Sequence, residues 1–282
     1  MIRLYNIDHF NLEETFLCGQ CFRWEKDENG VFYGVVANHA AKAYYHDPKT
    51  IYIESTNSDL VYWSHYLNFS CDYNKVEKKL CEEEIMRPAV EAGRGIRILR
   101  QDLWETIVSF IISANNNIPR IKKIINRLCE LYGDKIEFDG KVFYGFPSPE
   151  TLSVLNPEDL SEIKAGFRDK YIIDAAKKVV SGEVNLEQIP RMNNKAAKAE
   201  LMKINGVGTK VADCVLLFSV GRHNIFPLDV WTKRIIQELY SVEEKSIPQF
   251  VYEKFGHNSG VAQQYLYYYY AVVKNKLEKD AI

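Results

Sequence analysis

Several things are scarce in this sequence, and each scarcity removes a class of function. No uncharged stretch reaches the roughly 20 apolar residues a membrane-spanning helix needs; the longest, around 106–119 and 262–273, fall short. Met1-Ile2-Arg3-Leu4-Tyr5 offers no apolar signal core, and Asp8, Glu13 and Glu14 follow it, so neither a signal peptide nor a basic transit peptide fits. Six cysteines (18, 21, 71, 81, 129 and 214) are too scattered for a disulfide framework, and an intracellular, reducing location is expected. Cys18-Gly-Gln-Cys21 is a C-x-x-C, yet no second ligand pair completes a zinc set and no βαβ pattern surrounds it. The six histidines lack metal-ligand spacing, and the last hundred residues contain only Cys214, too few for an iron–sulfur cluster. No metal ligands are therefore assigned.

Net charge is scarce as well. Against 36 Lys and Arg stand 38 Asp and Glu, a total of −2 that argues against gripping a polyanion by bulk charge. The total hides a segregation. Residues 1–85 carry 8 basic and 14 acidic side chains, residues 86–210 carry 20 and 16, and residues 211–282 carry 8 of each.

What is present is a change of period along the chain. Cys21–Trp24 and Val31–Val36 flank a turn with Asn29-Gly30, and Lys42–His46 and Ile51–Glu54 flank Asp47-Pro48. These predict an antiparallel sheet over residues 1–68, with helical segments near 9–16 and 58–65. From Asn74 the spacing turns helical, over Trp104–Ala114, Pro119–Tyr132, 158–163, 169–181, 195–203, 209–220, 230–240, 247–255 and 260–276. The expected fold is α+β: a sheet domain with flanking helices over 1–85, then an all-helical core over 86–282 in two subdomains. The C-terminal helix is expected to return to the sheet side.

The richest segment is 195–229. A helix runs into Ile204-Asn205-Gly206-Val207-Gly208, and a second opens at Thr209. Glycines there permit a tight turn and expose backbone N–H groups at a helix N-terminus, a phosphate site without side-chain charge. The segment resembles a helix–hairpin–helix, a clamp on the DNA backbone, and that resemblance makes Gly206, Gly208 and Val211 the candidate backbone contacts. An ordinary glycine-rich connection between core helices has the same pattern. Lys210 stands in the first turn of the second helix. An amine nucleophile must be neutral, and both the positive helix end and partial burial disfavour the ammonium form, which suits a Schiff-base lysine. A phosphate contact is the plainer role for it. Asp229 closes Ile225-Phe226-Pro227-Leu228-Asp229 ahead of a helix and reads as its N-cap. Beside a sugar with oxocarbenium character its carboxylate would also stabilise the transition state.

Gly206-Val-Gly-Thr-Lys210-Val-Ala-Asp-Cys214 and Pro227-Leu-Asp229 resemble the helix–hairpin–helix–Pro–Asp DNA glycosylases, most closely the 8-oxoguanine glycosylase/lyase branch. Gly19–Trp24, Ile96–Asp102 and Asn115–Ile121 agree with that branch in the same order. The resemblance implies base flipping from duplex DNA, with Lys210 as nucleophile and Asp229 as its electrostatic partner. It further implies that the Gly19 carbonyl accepts N7–H of 8-oxoguanine, and that Gln263 and Tyr267, with Cys214, hold the base. Asn115 and Phe167 would fill and wedge the gap, and Arg120 and Arg168 would contact the estranged cytosine. The implied partner is double-stranded DNA with 8-oxoguanine opposite cytosine, bound by a single copy of the chain at the chromosome. No cofactor is required, and the hairpin carbonyls are a candidate seat for a structural cation.

One departure stands out: Asp229-Val230-Trp231 has Trp where the family often has His, so a phosphate contact is lost or replaced. Two other readings remain: a glycosylase for another lesion, and a non-catalytic helix–hairpin–helix DNA-binding protein. Missing cluster cysteines count against the endonuclease III type, and Lys210 counts against alkyl-base enzymes.

Overall fold

The computed structural model describes residues 1–5 and 9–274. The N-terminal part is a five-stranded antiparallel sheet of β1 (Ile2–Tyr5), β2 (Trp24–Lys26), β3 (Phe32–Val36), β4 (His39–Asp47) and β5 (Thr50–Ser55), ordered β1-β5-β4-β3-β2. The Asn29-Gly30 turn joins β2 to β3 as expected, with Gly30 at φ +80° and the Asp27 carboxylate accepting the N–H groups of Asn29 and Val31 at 2.9 Å. Gly34 lies opposite Trp24, and a Cβ there would fall 2.5 Å from the indole, so only glycine lets that ring lie across β3. Trp24 stacks on Phe16 of α1 (Leu12–Leu17) at 4.0 Å between centroids. Its indole N–H donates to the Tyr66 hydroxyl of α2 (Leu60–Tyr66) at 2.8 Å.

Helices α3 (Tyr73–Leu80), α4 (Arg87–Ala92), α5 (Leu103–Ser113) and α6 (Ile118–Tyr132) follow. In α5 every residue from Trp104 to Ile112 is buried, and Asp102 caps it by accepting the Glu105 N–H at 2.8 Å. The expected all-helical core is interrupted here. Residues 135–144 form a two-stranded hairpin, β6 (Lys135–Phe138) and β7 (Lys141–Tyr144), turning at Asp139-Gly140 with φ of +53° and +71°. Four-residue strands are too short for a period to register, and the Asp-Gly pair was their one signal. The hairpin tip braces the N-terminal sheet, because Asp139 accepts from the Tyr33 hydroxyl at 2.9 Å and the Lys42 ammonium at 3.0 Å.

The remaining helices are α7 (Pro149–Ser153), α8 (Asp169–Val180), α9 (Asn194–Leu201), α10 (Thr209–Phe218), α11 (Val230–Tyr240), α12 (Ile247–Phe255) and α13 (Ser259–Tyr267). The segment expected as a helix at 158–163 is a 3-10 helix, Pro157–Ile163, ended by Lys164 at φ +59°. The helix expected over 260–276 is α13 followed by a π-helical turn, Tyr268–Lys274; residues 275 and 276 lie outside the described residues. The strand expected from Cys21 begins only at Trp24, since residues 18–23 form an irregular turn.

Two apolar clusters result, and they interlock. Tyr73, Val76 and Leu80 pack with the helical cluster, while Leu99 packs with the sheet. Within the irregular turn, Cys18 and Phe22 enter the helical core and Cys21 and Trp24 enter the sheet core. That alternation anchors Gly19 at the seam between the two.

Candidate active site

The seam is reached from the other side by α9, its turn and α10. Asn205 donates its N–H and its side-chain amide to the Asp174 carboxylate of α8 at 2.8 and 2.9 Å, tying the turn down. Gly206, at φ +83°, passes under Tyr171; a Cβ would meet that ring at 2.4 Å. Gly208 differs, with an ordinary φ of −90° and no atom within 4 Å of a built Cβ. No side chain caps α10, so its leading N–H groups are left for a ligand. Val207 and Val211 are buried beneath the turn. Among the hairpin carbonyls, that of Lys203 accepts from the Lys178 ammonium at 2.6 Å and that of Ile204 from the Val207 N–H at 3.1 Å.

Lys210, in the first turn of α10, holds its ammonium 5.3 Å from the centre of the Phe110 ring on α5. Cys214 lies one helical turn further on. Burial pushes its thiol up to about 11, although the neighbouring Lys210 charge and hydrogen bond pull it down. Asp229 caps α11 as expected: its Oδ1 accepts the Thr232 N–H at 2.8 Å, and its own N–H donates to the Thr232 hydroxyl at 2.9 Å. The cap uses Oδ1 and leaves Oδ2 without a hydrogen bond among the described residues. The cap therefore occupies one oxygen of the carboxylate and leaves the other unbonded.

Lys210 and Asp229 meet on a cavity of about 180 Å³ that also takes in Gly19, Cys214, Gln263 and Tyr267. Gln263 is 5% exposed, and its Oε1 is buried with no partner, an acceptor without a donor. Burial, then the nearby Asp229, raises the Tyr267 hydroxyl, which keeps it neutral. Gly19 adopts φ +88°, and a Cβ there would press on Ile118 at 3.2 Å. Trp231, half-exposed, also lines this cavity. A larger cavity, about 510 Å³, lies beyond Lys210, but its buried Asp213 is already paired with Lys198 at 2.6 Å.

The residues expected to fill the gap and to meet the estranged cytosine, Asn115, Phe167, Arg120 and Arg168, do not line this cavity. Asn115, at φ +50°, follows the end of α5. Phe167 is 57% exposed, its ring 6.0 Å from that of Tyr171. Arg120 is exposed and reaches the Lys164 carbonyl at 3.4 Å. Arg168, expected to contact the estranged cytosine, is only 4% exposed. Its guanidinium holds the carbonyls of Ala114, Asn115 and Ala165 through four hydrogen bonds, so it shapes the Asn115 loop directly. One of the five N–H donors of an arginine remains for a base.

Sequence reasoning missed the walls contributed by Phe110, Ser113 and Asn116, and it missed Gln20, Gln101 and Gln264. Gln20 and Gln101 stand inside blocks that carried the resemblance, but a buried glutamine looks the same in sequence as a solvated one.

Comparison with known proteins agrees with this geometry. The model of the 8-oxoguanine DNA glycosylase N-terminal domain matches residues 2–107, and that of the HhH-GPD superfamily base excision DNA repair proteins matches residues 108–257. The Clostridium acetobutylicum 8-oxoguanine glycosylase/lyase, solved with double-stranded DNA containing cytosine opposite 8-oxoguanine, is 42% identical, covers 96% of this chain and 94% of its own, and superposes with a TM-score of 0.90. MBOgg1, solved with a low-affinity DNA ligand, is 45% identical, with coverages of 95% and 94% and a TM-score of 0.91. The N-glycosylase/DNA lyase of Saccharomyces cerevisiae is 40% identical over 161 residues, 53% of this chain and 43% of the yeast protein's length.

Proposed function

The chain belongs to the HhH-GPD superfamily of base excision DNA repair proteins and carries the N-terminal domain of an 8-oxoguanine DNA glycosylase, and from that premise we propose how its residues divide the work. It is an N-glycosylase/DNA lyase that excises 8-oxoguanine from duplex DNA. The observation that carries the assignment of roles is the single cavity holding Lys210, Asp229 and the unpartnered Oε1 of Gln263.

The flipped base enters between Tyr267 and Cys214. The Watson–Crick edge of 8-oxoguanine presents N1–H and amino donors, the complement of the Gln263 acceptor. Its N7 carries a hydrogen, whereas the N7 of guanine carries a lone pair. The Gly19 carbonyl binds the first and repels the second, and rejection through an unpaired polar contact is a strong form of discrimination. Lys210, as the free amine, attacks C1′. The C1′–N9 bond breaks, and the base departs with the bonding pair and takes up a proton. Positive charge developing on the sugar faces the Asp229 carboxylate. The adduct loses one amine proton, and the nitrogen lone pair then opens the sugar ring: O4′ leaves with the C1′–O4′ pair and takes up a proton, and a protonated imine remains. The imine acidifies C2′–H; removal of that proton expels the 3′ phosphate and nicks the strand.

The duplex carries cytosine opposite the lesion. Asn115 occupies the vacated position, Phe167 wedges the stack, and Arg120 with the remaining donor of Arg168 meets the cytosine. Backbone N–H groups of Gly206 and of Gly208 to Val211 hold a phosphate. All these residues come from one chain, so a single copy suffices, and the substrate places the protein with the chromosome. The chemistry needs no cofactor.

Borohydride reduction in the presence of an 8-oxoguanine:cytosine duplex tests this. The wild-type chain should be trapped covalently and Lys210→Gln should not be. A Lys210→Gln protein that nicks at the wild-type rate would remove the lysine from the mechanism.

A further inference from the structure

Gly19 lies between two peptide carbonyls that side-chain amides hold. From α13, the Gln264 amide donates to the Cys18 carbonyl at 3.2 Å; Gln264 is 2% exposed. The Gln101 amide donates to the Gln20 carbonyl at 2.7 Å, and the Gln101 N–H is tied to the Phe218 carbonyl of α10 at 2.9 Å. The Gln20 side chain, fully buried, donates to the carbonyls of Thr15 and Arg97 at 2.9 and 2.7 Å and accepts the Leu99 N–H at 2.9 Å. Among the described residues the Gly19 carbonyl itself accepts no hydrogen bond.

The Gly19 carbonyl belongs to the one peptide plane between those two anchored planes. Glycine is the residue whose backbone turns most freely, so an acceptor carried on it wanders unless its neighbours are held. Gln264 is also the residue after Gln263. One turn of α13 thus sends one amide into the cavity and the next onto the turn bearing Gly19. The spacing between the Gln263 acceptor and the Gly19 carbonyl becomes a property of one helix.

Resting on the reading of Gly19 as the N7–H acceptor, we propose that Gln264 is a positioning residue for lesion discrimination: its amide, opposite that of Gln101, locks the Gly19 peptide at the distance from Gln263 that an 8-oxoguanine ring spans. The Gln264 amide donates to the Cys18 carbonyl and makes no hydrogen bond to Lys210 among the described residues, so it acts on base excision and leaves the lyase step alone.

Cleavage of a preformed abasic site needs Lys210 but no base contact, which separates this role from a purely structural one. Gln264→Met keeps the length of the side chain and removes the donor. Single-turnover excision of 8-oxoguanine opposite cytosine should fall about ten- to a hundredfold, the usual consequence of misplacing a contact by a fraction of an ångström. Nicking of the abasic duplex should stay within about twofold of wild type. Should Gln264→Met not fold, Gln101→Met carries the same test from the opposite carbonyl. Excision within about twofold of wild type, or a parallel fall in both activities, overturns the proposal. A wild-type chain that nicks the abasic duplex but leaves 8-oxoguanine in place overturns the base reading itself, a result visible before any variant is made.

Discussion

The turn at Gly19 and the turn at Gly206–Gly208 both carry glycine where the proposed function brings backbone to a ligand, yet the first is enclosed by side-chain amides and the second is open. At Gly19 the neighbouring carbonyls are bonded to Gln264 and Gln101, and the flanking side chains are divided between two apolar cores. At Gly208 nothing lies within 4 Å of a built Cβ and no side chain caps the helix. The difference fits what each turn is proposed to bind. A base is discriminated by one acceptor at one position, which demands rigidity; a phosphate is held by several N–H groups at a helix end, which demands access.

The largest expected effect comes from disturbing the enclosed turn. Gly19→Ala forces an L-residue to φ +88° with its Cβ against Ile118, so the peptide must rotate. Excision of 8-oxoguanine should fall on the order of a thousandfold while abasic-site nicking persists, measured on matched duplexes. Equal losses in both would mean that Gly19 supports the fold and does not read the base.

Next comes the strut behind that turn. Arg23, five residues from Cys18, reaches Glu105 of α5 at 3.4 Å and also the Tyr144 carbonyl. Burial pushes the Glu105 carboxyl up to about 7 from 4.5, although the Arg23 guanidinium pulls it down. A raised carboxyl favours its protonated native form. Its contribution to stability is therefore full below the unfolded value of 4.5 and is lost as pH rises through about 7. The loss amounts to about 3 kcal/mol at most. In Glu105→Gln that slope should vanish. The stability difference, variant minus wild type, should rise between pH 5 and pH 8 in parallel denaturant titrations; a pH-independent difference would rule the buried carboxyl out.

The smallest effect belongs to the open turn. Serine caps a helix at least as well as glycine, so Gly208→Ser should gain a few tenths of a kcal/mol in folding stability. Its side chain would stand where the phosphate approaches, and affinity for undamaged duplex should fall about tenfold. Because no formal charge changes, the slope of affinity against salt should stay that of the wild type and remain shallow. Unchanged affinity would mean that the phosphate sits elsewhere.

How far each turn could be read in advance differs in the same way. The open turn was legible because Gly-x-Gly, Lys210 and the capping Asp229 are local: helix ends, turns and caps depend on residues within a few positions of one another. The enclosed turn was legible only as a resemblance. Gln264 and Cys18 are separated by 246 positions, and nothing local marks them as partners. Arg168 shows the same limit. The resemblance implied a contact to the estranged cytosine, whereas burial turned its guanidinium onto the carbonyls of Ala114, Asn115 and Ala165. The hairpin at 135–144 was missed for the opposite reason, being local but too short for a period to show.

From the sequence alone came the sheet-then-helix order, the basic middle segment that the total of −2 conceals, the phosphate turn and the pairing of a lysine with a carboxylate. These follow from periodicity, composition and spacing, which act over one or two turns of chain. Only the tertiary structure decided which glutamine has an unpartnered oxygen and which holds the Cys18 carbonyl, which oxygen of Asp229 the cap leaves unbonded, and which arginine is already occupied. Those outcomes depend on desolvation and on hydrogen bonds between distant segments, where a polar side chain, once buried, must find whichever partner the packing brings to it.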